Sequence, residues 1–409
     1  MKKKPFTLFR FFLLCSALMN GVQARTWTNA DGTKTFEAEF KSYDAKRGQV
    51  VVILSNGRTK KFNKSFLSED DIAFLKKNGN RTSGGIAKAL PAEIPDPDGK
   101  EADMSKPAQV FILMGQSNML GFGHVAGDKN GTLQNATKNS LYPYLVDEAG
   151  AWTARKDVRN VRVMNFKDYT NDWMSPSNSK NIGPEMGIGY ALGEVIDAPV
   201  LILKSCIGNR SLGWDLLPPG SEPYEAGGKT VPGYRGTPKN PKGNGEKVEG
   251  EWYAGKQYDD DTDSAKKVLE NLSKYYPGAK EYEIAGFIFW QGDKDRYDAN
   301  NAERYEVNLV QFIKALRQDF EAPNAKFVCA SLGQTKKGAG GNEGAILKAQ
   351  MAVDGESGKY DDFEGNVATV YSHPLSKGGS SNGHYSGNAE TYQNIGEALG
   401  RAMAKLLAK

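Results

Sequence analysis

Five apolar residues in a row, Val110-Phe111-Ile112-Leu113-Met114, stop at Gly115 and give way at once to Gln116-Ser117-Asn118. An uninterrupted apolar run of this length reads as a strand buried on both faces, as in a parallel sheet. Glycine allows a tight turn that a Cβ would obstruct. Ser117 then falls where strand passes into helix, at the carboxyl edge where open α/β sheets bind their ligands. Free N–H groups at a helix start there can stabilise an oxyanion. Taken alone, the tripeptide reads more readily as a helix cap, a place that favours Ser and Asn.

The alternation continues. A helix is expected over 184–196, with Pro184 in its first turn, then buried strands over 199–203 and 284–290. Tyr305, Leu309, Phe312, Ile313, Leu316 and Phe320 form one helical stripe. Strands at 326–332 and 367–371 precede a last helix capped by Asn388 and carrying Tyr392, Ile395, Leu399, Met403 and Leu406. Strand and helix in turn over 108–409 predict an α/β domain, a three-layer sandwich with a mainly parallel central sheet. Between Asp215 and Tyr258 the pattern lapses into a Gly/Pro-rich loop with Tyr224, Tyr234, Trp252 and Tyr253. These aromatics either stack on sugar faces or pin the loop to the body. The run Asp259-Asp260-Asp261-Thr262-Asp263 lacks the spaced ligands and terminal Glu of a calcium loop, and is expected to cap a helix starting near Ser264.

Ahead of this domain, residues 25–80 predict a small all-β unit. Residues 36–40 alternate, 50–54 are apolar, Ser55-Asn56-Gly57 is a hairpin turn, 58–62 return, and a short helix runs from Leu67 to Leu75. Residues 81–107, rich in Pro and Gly, read as a partly extended linker.

Residues 1–24 have the form of a secretory signal peptide: Lys2, Lys3 and Lys4, an apolar stretch, and Val22-Gln23-Ala24 as the cleavage site. The stretch is too short and broken for a stable membrane anchor. A secreted or periplasmic location is expected, after cleavage near Ala24. The leader holds four basic residues and no acids. The 53 basic residues less those four leave 49, matching the 49 acidic ones, so no nucleic-acid partner is expected. Cys206 and Cys329 remain, either bonded to each other or buried as free thiols. No His/Cys cluster has metal-ligand spacing, and no metal or cofactor is expected.

Ser117, Gly208, Asn209, Gln291 and Asp293 all follow strand-like runs, which brings them to one sheet edge. Of the three histidines, His124, His373 and His384, the last lies between the final strand and the final helix, at that same edge. A Ser117–His384 pair is the natural nucleophile and base.

Gly115-Gln116-Ser117-Asn118-Met119 resembles the first block of the SGNH-type hydrolases, in the branch of the sialate O-acetylesterases and the neighbouring carbohydrate esterase family 6. Gly183-Pro184-Glu185, Ile207-Gly208-Asn209-Arg210-Ser211-Leu212, Trp290-Gln291-Gly292-Asp293 and Gly383-His384-Tyr385 are similar to the later blocks, in order. The resemblance spans 108–409 and implies an SGNH, flavodoxin-like fold. It makes Ser117 the nucleophile and His384 its base. The oxyanion donors it implies are the N–H groups of Ser117 and Gly208 and the Gln291 amide. Asn118 would tie the blocks together near the substrate. Asn209 and Arg210 would line the substrate site, Arg210 as a contact or in a local salt bridge. Two positions depart from the pattern. Ser381 stands where the family often has the Asp of Asp-x-x-His, so Asp293 is expected to orient His384, with Asp295 a nearby substitute. Asn209 replaces the family's second Gly. Residues 25–80 resemble the small SH3-like, Sla-homology type domain of secreted bacterial proteins.

The resemblance implies a secreted serine esterase that removes O-acetyl groups from a carbohydrate, sialate O-acetylesterase-like or acetylxylan esterase-like, with acetylated glycan as its partner. A non-catalytic carbohydrate-binding or scaffold protein on a degenerate hydrolase fold is the alternative; a lipid or thioester hydrolase is a third. Nothing in the sequence bears on oligomeric state.

Overall fold

A computed structural model describes residues 25–44, 48–54, 58–78, 90–97 and 99–409, and the chain divides into two compact units between Thr82 and Ser83. The expected leader, the turn at 55–57 and the first part of the expected linker lie outside the described residues.

In the first unit, β1 (Arg25–Thr28), β2 (Thr35–Asp44), β3 (Gln49–Leu54) and β4 (Thr59–Asn63) form an antiparallel sheet in chain order, followed by α1 (Glu69–Asn78). Trp27 is fully buried among Ala38, Val50, Val52, Leu67 and Leu75, and its indole N–H donates to the Ala38 carbonyl at 3.0 Å. Asp71, in the first turn of α1, accepts from the Arg25 guanidinium at 2.5 Å and the Thr28 N–H at 2.7 Å, which ties the helix to β1.

The second unit runs β5 (Ala108–Gly115), α2 (Ser117–Leu120), β6 (Gly123–His124), α3 (Leu133–Lys138), β7 (Arg155–Met164), β8 (Lys167–Met174), β9 (Asn181–Ile182), α4 (Glu185–Val195) and β10 (Val200–Ser205). It continues with β11 (Tyr224–Ala226), β12 (Lys229–Val231), α5 (Lys256–Glu270), α6 (Leu272–Tyr275), β13 (Tyr282–Trp290) and α7 (Ala299–Asp319). β14 (Lys326–Ala330), α8 (Gly341–Ala352), β15 (Val367–Val370) and α9 (Ala389–Leu407) complete it. The main sheet has the order β15-β14-β13-β5-β10-β7-β8, with every neighbouring pair parallel except the edge hairpin β7–β8.

β5 lies between β13 and β10, so both its faces are covered. Phe111 and Leu113 enter the core under α4 and α9, while Val110, Ile112 and Met114 enter the opposite core with α5 and α7. That is the two-sided burial its apolar run calls for. The register pairs Gly115 with Trp290, which brings two strand ends level at the carboxyl edge.

Three elements differ from expectation. α5 begins at Lys256 after Gly255, whose φ is 89°, so the acidic run lies inside the helix and does not cap it. Its members are tethers: Asp259 accepts from Tyr234 at 2.5 Å, Tyr253 at 2.8 Å and Arg235 at 3.0 Å. The described part of the expected linker is a strap on the body. Ile94 is buried, Arg401 holds the Pro91 and Ala92 carbonyls, and Lys100 holds that of Gly193. The β7–β8 hairpin was not expected, because buried Arg155 and Asp157 pair with each other in β7 and β8 is an edge strand with mostly polar residues. Cys206 and Cys329 are separate buried thiols, each pushed up to about 12 by burial. Among the described residues, no helix is long and apolar enough to cross a membrane, and no group of three or more His, Cys, Asp or Glu is placed to hold a metal.

Candidate active site

The turn after β5 requires glycine. Gly115 has φ 148°, and a Cβ there would run into the Trp290 carbonyl oxygen. Ser117 follows as the first residue of α2, where a helix leaves its N–H groups without internal partners. No side chain among the described residues bonds its hydroxyl. Gln116, not Asn118, ties the blocks together: its buried Oε1 accepts from Gln291 Nε2 and from the Lys294 N–H, both at 3.1 Å. Asn118 is fully buried, with neither amide atom partnered.

Behind α2 lies a buried ion pair. Lys204 Nζ donates to Glu185 Oε2 at 2.7 Å and to the carbonyl of Leu120, the last residue of α2, at 2.8 Å. Glu185 Oε1 accepts from the Gly183 N–H at 3.0 Å. Gly183-Pro184-Glu185 is therefore a brace for the helix that starts at Ser117.

The loop after β10 brings Gly208 against the nucleophile candidate: a Cβ on Gly208 would meet the Ser117 Cβ at 3.6 Å. Asn209 next to it is exposed, with φ 58°. Arg210 forms no salt bridge among the described residues; its guanidinium lies 4.5 Å from the centroid of the Trp252 ring. Asp295 fixes this loop from below. Its carboxylate accepts from the N–H groups of Leu212 at 2.9 Å and Gly213 at 2.8 Å, and from the Gln291 amide. Burial pushes Asp295 up to about 6. With both oxygens held there, Asp295 is a loop clamp and not a substitute acid for His384.

Gln291 is fully buried. Its amide nitrogen faces three acceptors, on Gln116, Arg210 and Asp295, and its Oε1 accepts from Tyr305 at 2.7 Å. An amide with two hydrogens and three acceptors has none left for an oxyanion in this arrangement. Gln291 joins the ends of β5, β10 and β13.

His384 sits in the kinked segment Ser381–Gly387, which packs against α2. Its ring is stacked on Phe122, just beyond α2, with centroids 4.0 Å apart and planes 11° from parallel. His384, Tyr385 and Ser386 all have positive φ, 50°, 51° and 53°. Three successive non-glycine residues in this region cost roughly 1–2 kcal/mol each. The segment is held by two anchors. Tyr385 is buried against Trp290 and accepts from the Gly333 N–H at 3.2 Å. Ser381 donates to Asp293 Oδ1. Arg296 Nε also ends on that oxygen, at 2.9 Å, which leaves Oδ2 of Asp293 without a protein partner among the described residues. Ser381, at the position where the resembled family often has an Asp, thus holds an acid instead of supplying one.

Ser117 and Gly208 are therefore neighbours, and the segment that carries His384 packs against α2 and is tied through Ser381 to Asp293, without hydrogen bonds joining Ser117, His384 and Asp293. Catalytic bonds are often loose in an unliganded site. Phe122, Ser381 as a tether and the brace role of Lys204 lie outside the sequence expectations. A lysine inside an apolar strand was the available signal for the last.

One buried acid beneath the Gly208 loop is titratable. Asp261, pushed up to about 8 by burial, accepts from Gln257 at 2.6 Å and Ser205 at 3.2 Å, with Oδ2 unpartnered. Its folded-state proton affinity exceeds that of the unfolded chain, so the folded state binds the extra proton and stability falls as pH rises from about 4 to about 8. Asp261→Asn is expected to be more stable than the wild type by a margin that grows to on the order of 5 kcal/mol by pH 8.5. Thermal melts of both proteins at pH 5 and pH 8.5 check this; an equal difference at both pH values would refute it.

The class defined by this architecture is an α/β protein with a large, mostly parallel sheet and polar chemistry at its carboxyl edge. Residues 242–405 match the model of a family described as carbohydrate esterase, sialic acid-specific acetylesterase, a span that contains Gln291, Asp293 and His384. Among curated proteins, none matches the chain significantly. A solved Arabidopsis thaliana protein is similar at 18% identity over 73% of this chain and 98% of its own, with a TM-score of 0.42. A carbohydrate acetylesterase from Xanthomonas citri is similar at 12% identity over 71% of this chain and 55% of its own, TM-score 0.41. NanS is similar at 14% identity over 66% and 78%, TM-score 0.35.

Proposed function

We propose that this chain is a serine esterase that removes O-acetyl groups from a carbohydrate. The observation that supports the reading is that Ser117 lies against the Gly208 loop at the end of β5, while the segment carrying His384 packs on α2 and is tied to Asp293. The family match over 242–405 supports it. Ser117 Oγ attacks the ester carbonyl while His384 takes its proton. The backbone N–H groups of Ser117 and Gly208 receive the oxyanion. Collapse expels the sugar hydroxyl, protonated by His384, and His384 then activates water to free acetate. Asp293, through its open Oδ2, orients the imidazole and balances its charge. Asn209 and Arg210 line the sugar side, and Asn118 backs the nucleophile. The reading includes export through residues 1–24 and an SH3-like accessory unit over 25–80.

The second reading, a carbohydrate-binding protein without turnover, is not favoured by the family match, though the absence of hydrogen bonds among Ser117, His384 and Asp293 would suit it. Acetate release from a panel of acetylated oligosaccharides, with fluorophosphonate labelling of Ser117, separates the two. Turnover and labelling are expected, and Asp293→Asn is expected to lose about 10²-fold or more in kcat. No acetate from any ester and no label would sink the esterase; full activity in a folded Asp293→Asn protein would remove Asp293 from the site.

A further inference from the structure

We propose that Phe122 is a positioning residue for the base: its ring is the platform that fixes the plane of the His384 imidazole before any bond to Asp293 is made. The role in turnover rests on the esterase reading. The platform itself rests on the packing around Phe122.

Two anchors hold the segment around His384, Ser381 on Asp293 and Tyr385 against Trp290, but neither touches the imidazole. Among the described residues no group hydrogen-bonds either ring nitrogen; the Tyr392 hydroxyl reaches only the main-chain carbonyl of His384, at 3.5 Å. The outer torsion of a histidine is broad and roughly two-fold, so a ring without partners takes several orientations. What limits it here is the face of Phe122, with centroids 4.0 Å apart and planes 11° from parallel. Both rings are half-buried, which leaves the nitrogens of His384 accessible while one face is covered.

The platform is itself fixed by its neighbours in the chain. Gly121 closes α2 by donating to the Ser117 carbonyl at 3.0 Å. A Cβ on Gly121 would run into the backbone of Gly183, and one on Gly123 into Ala389 at the start of α9. Phe122 thus projects from a backbone pressed between the Gly183 brace and α9. His124, two residues on, lies against Gly387, where a Cβ would strike its ring. Phe122 and His124 together flank the left-handed turn from His384 to Ser386. Nucleophile and platform are five residues apart in one short stretch, so the stack ties the ring of the base to the helix of the nucleophile. When the imidazole takes the Ser117 proton it becomes a cation, and an aromatic face attracts a cation set over it. The platform therefore steadies the ring in the charged form that the mechanism needs.

With three histidines in the chain, histidine-selective NMR reads the platform directly. The His384 ring signals, assigned by their loss in His384→Gln, are expected upfield of the other two because the ring lies over the shielding face of Phe122. Phe122→Leu is expected to return them to the ordinary range and Phe122→Tyr to leave them upfield. With 4-nitrophenyl acetate as substrate, Phe122→Leu is expected to lower kcat about 10-fold with KM within about 3-fold of wild type, and Phe122→Tyr to keep most of the rate. The melting temperature and the His373 signal are expected to stay at their wild-type values in both variants. His384 signals that are not upfield, or that do not move in Phe122→Leu, overturn the platform. An upfield ring in an enzyme whose kcat is indifferent to Phe122→Leu overturns the role in turnover. Failure of the esterase reading looks different: the wild type then neither turns over nor labels with a fluorophosphonate, and the role in turnover falls with it.

Discussion

Ser117→Ala is expected to lower acetate release by about 10⁴-fold or more while the melting temperature stays close to that of the wild type. The loss is chemical and not structural, because the turn is held by other groups. Gly115 supplies the backbone angle, Gln116 latches the end of β5 to Gln291 and Lys294, and Lys204 holds the far end of α2. The Ser117 hydroxyl has no side-chain partner to lose. Steady-state acetate release on the best substrate of the panel, with a melt of the same preparation, checks both halves. A variant that keeps a tenth of wild-type turnover would show that another group is the nucleophile.

Lys204→Met is expected to destabilise the protein by about 3–5 kcal/mol. The pair with Glu185 is almost wholly shielded from water, with side chains 3% and 7% exposed. Truncating one partner leaves the other charge buried, and that cost exceeds the net worth of the intact pair. The Leu120 carbonyl loses its donor as well. The double variant Lys204→Met, Glu185→Leu removes the stranded charge and is expected to recover a large part of the loss. Urea unfolding of the single and double variants measures the coupling. A single variant within 1 kcal/mol of wild type, or a double variant no better than the single, would contradict this account.

The parallel sheet was legible because its central strands are two-sided apolar runs, and Val110–Met114 could hardly be anything else. The edge hairpin was not, since a buried Arg155–Asp157 pair and an exposed edge both look polar in a sequence. The acidic run at 259–263 misled for a related reason: its first carboxylate, Asp259, serves residues 24 and 25 positions upstream, Arg235 and Tyr234, and not the helix end nearest in sequence. At the site, residue types pointed to Ser117 and His384. Which acids were available was a matter of partners. Asp295 and Asp293 differ by two positions, yet one has both oxygens committed to a loop and the other keeps one free. The stack of Phe122 on His384 joins residues far apart in the chain, and no local pattern marks it.

The position of β5 has a consequence for synthesis. It is the first strand of the main sheet to leave the ribosome, yet its neighbour β13 ends only at Trp290, and the segment with His384 follows later still. Most of the domain must therefore be translated before the Ser117 turn gains its second flanking strand, and nearly all of it before the segment with His384 packs against α2. On the proposed mechanism, a partly made chain carries Ser117 without His384, and no ester hydrolysis is expected of it until the last helices have docked. This long-range closure also predicts slow folding.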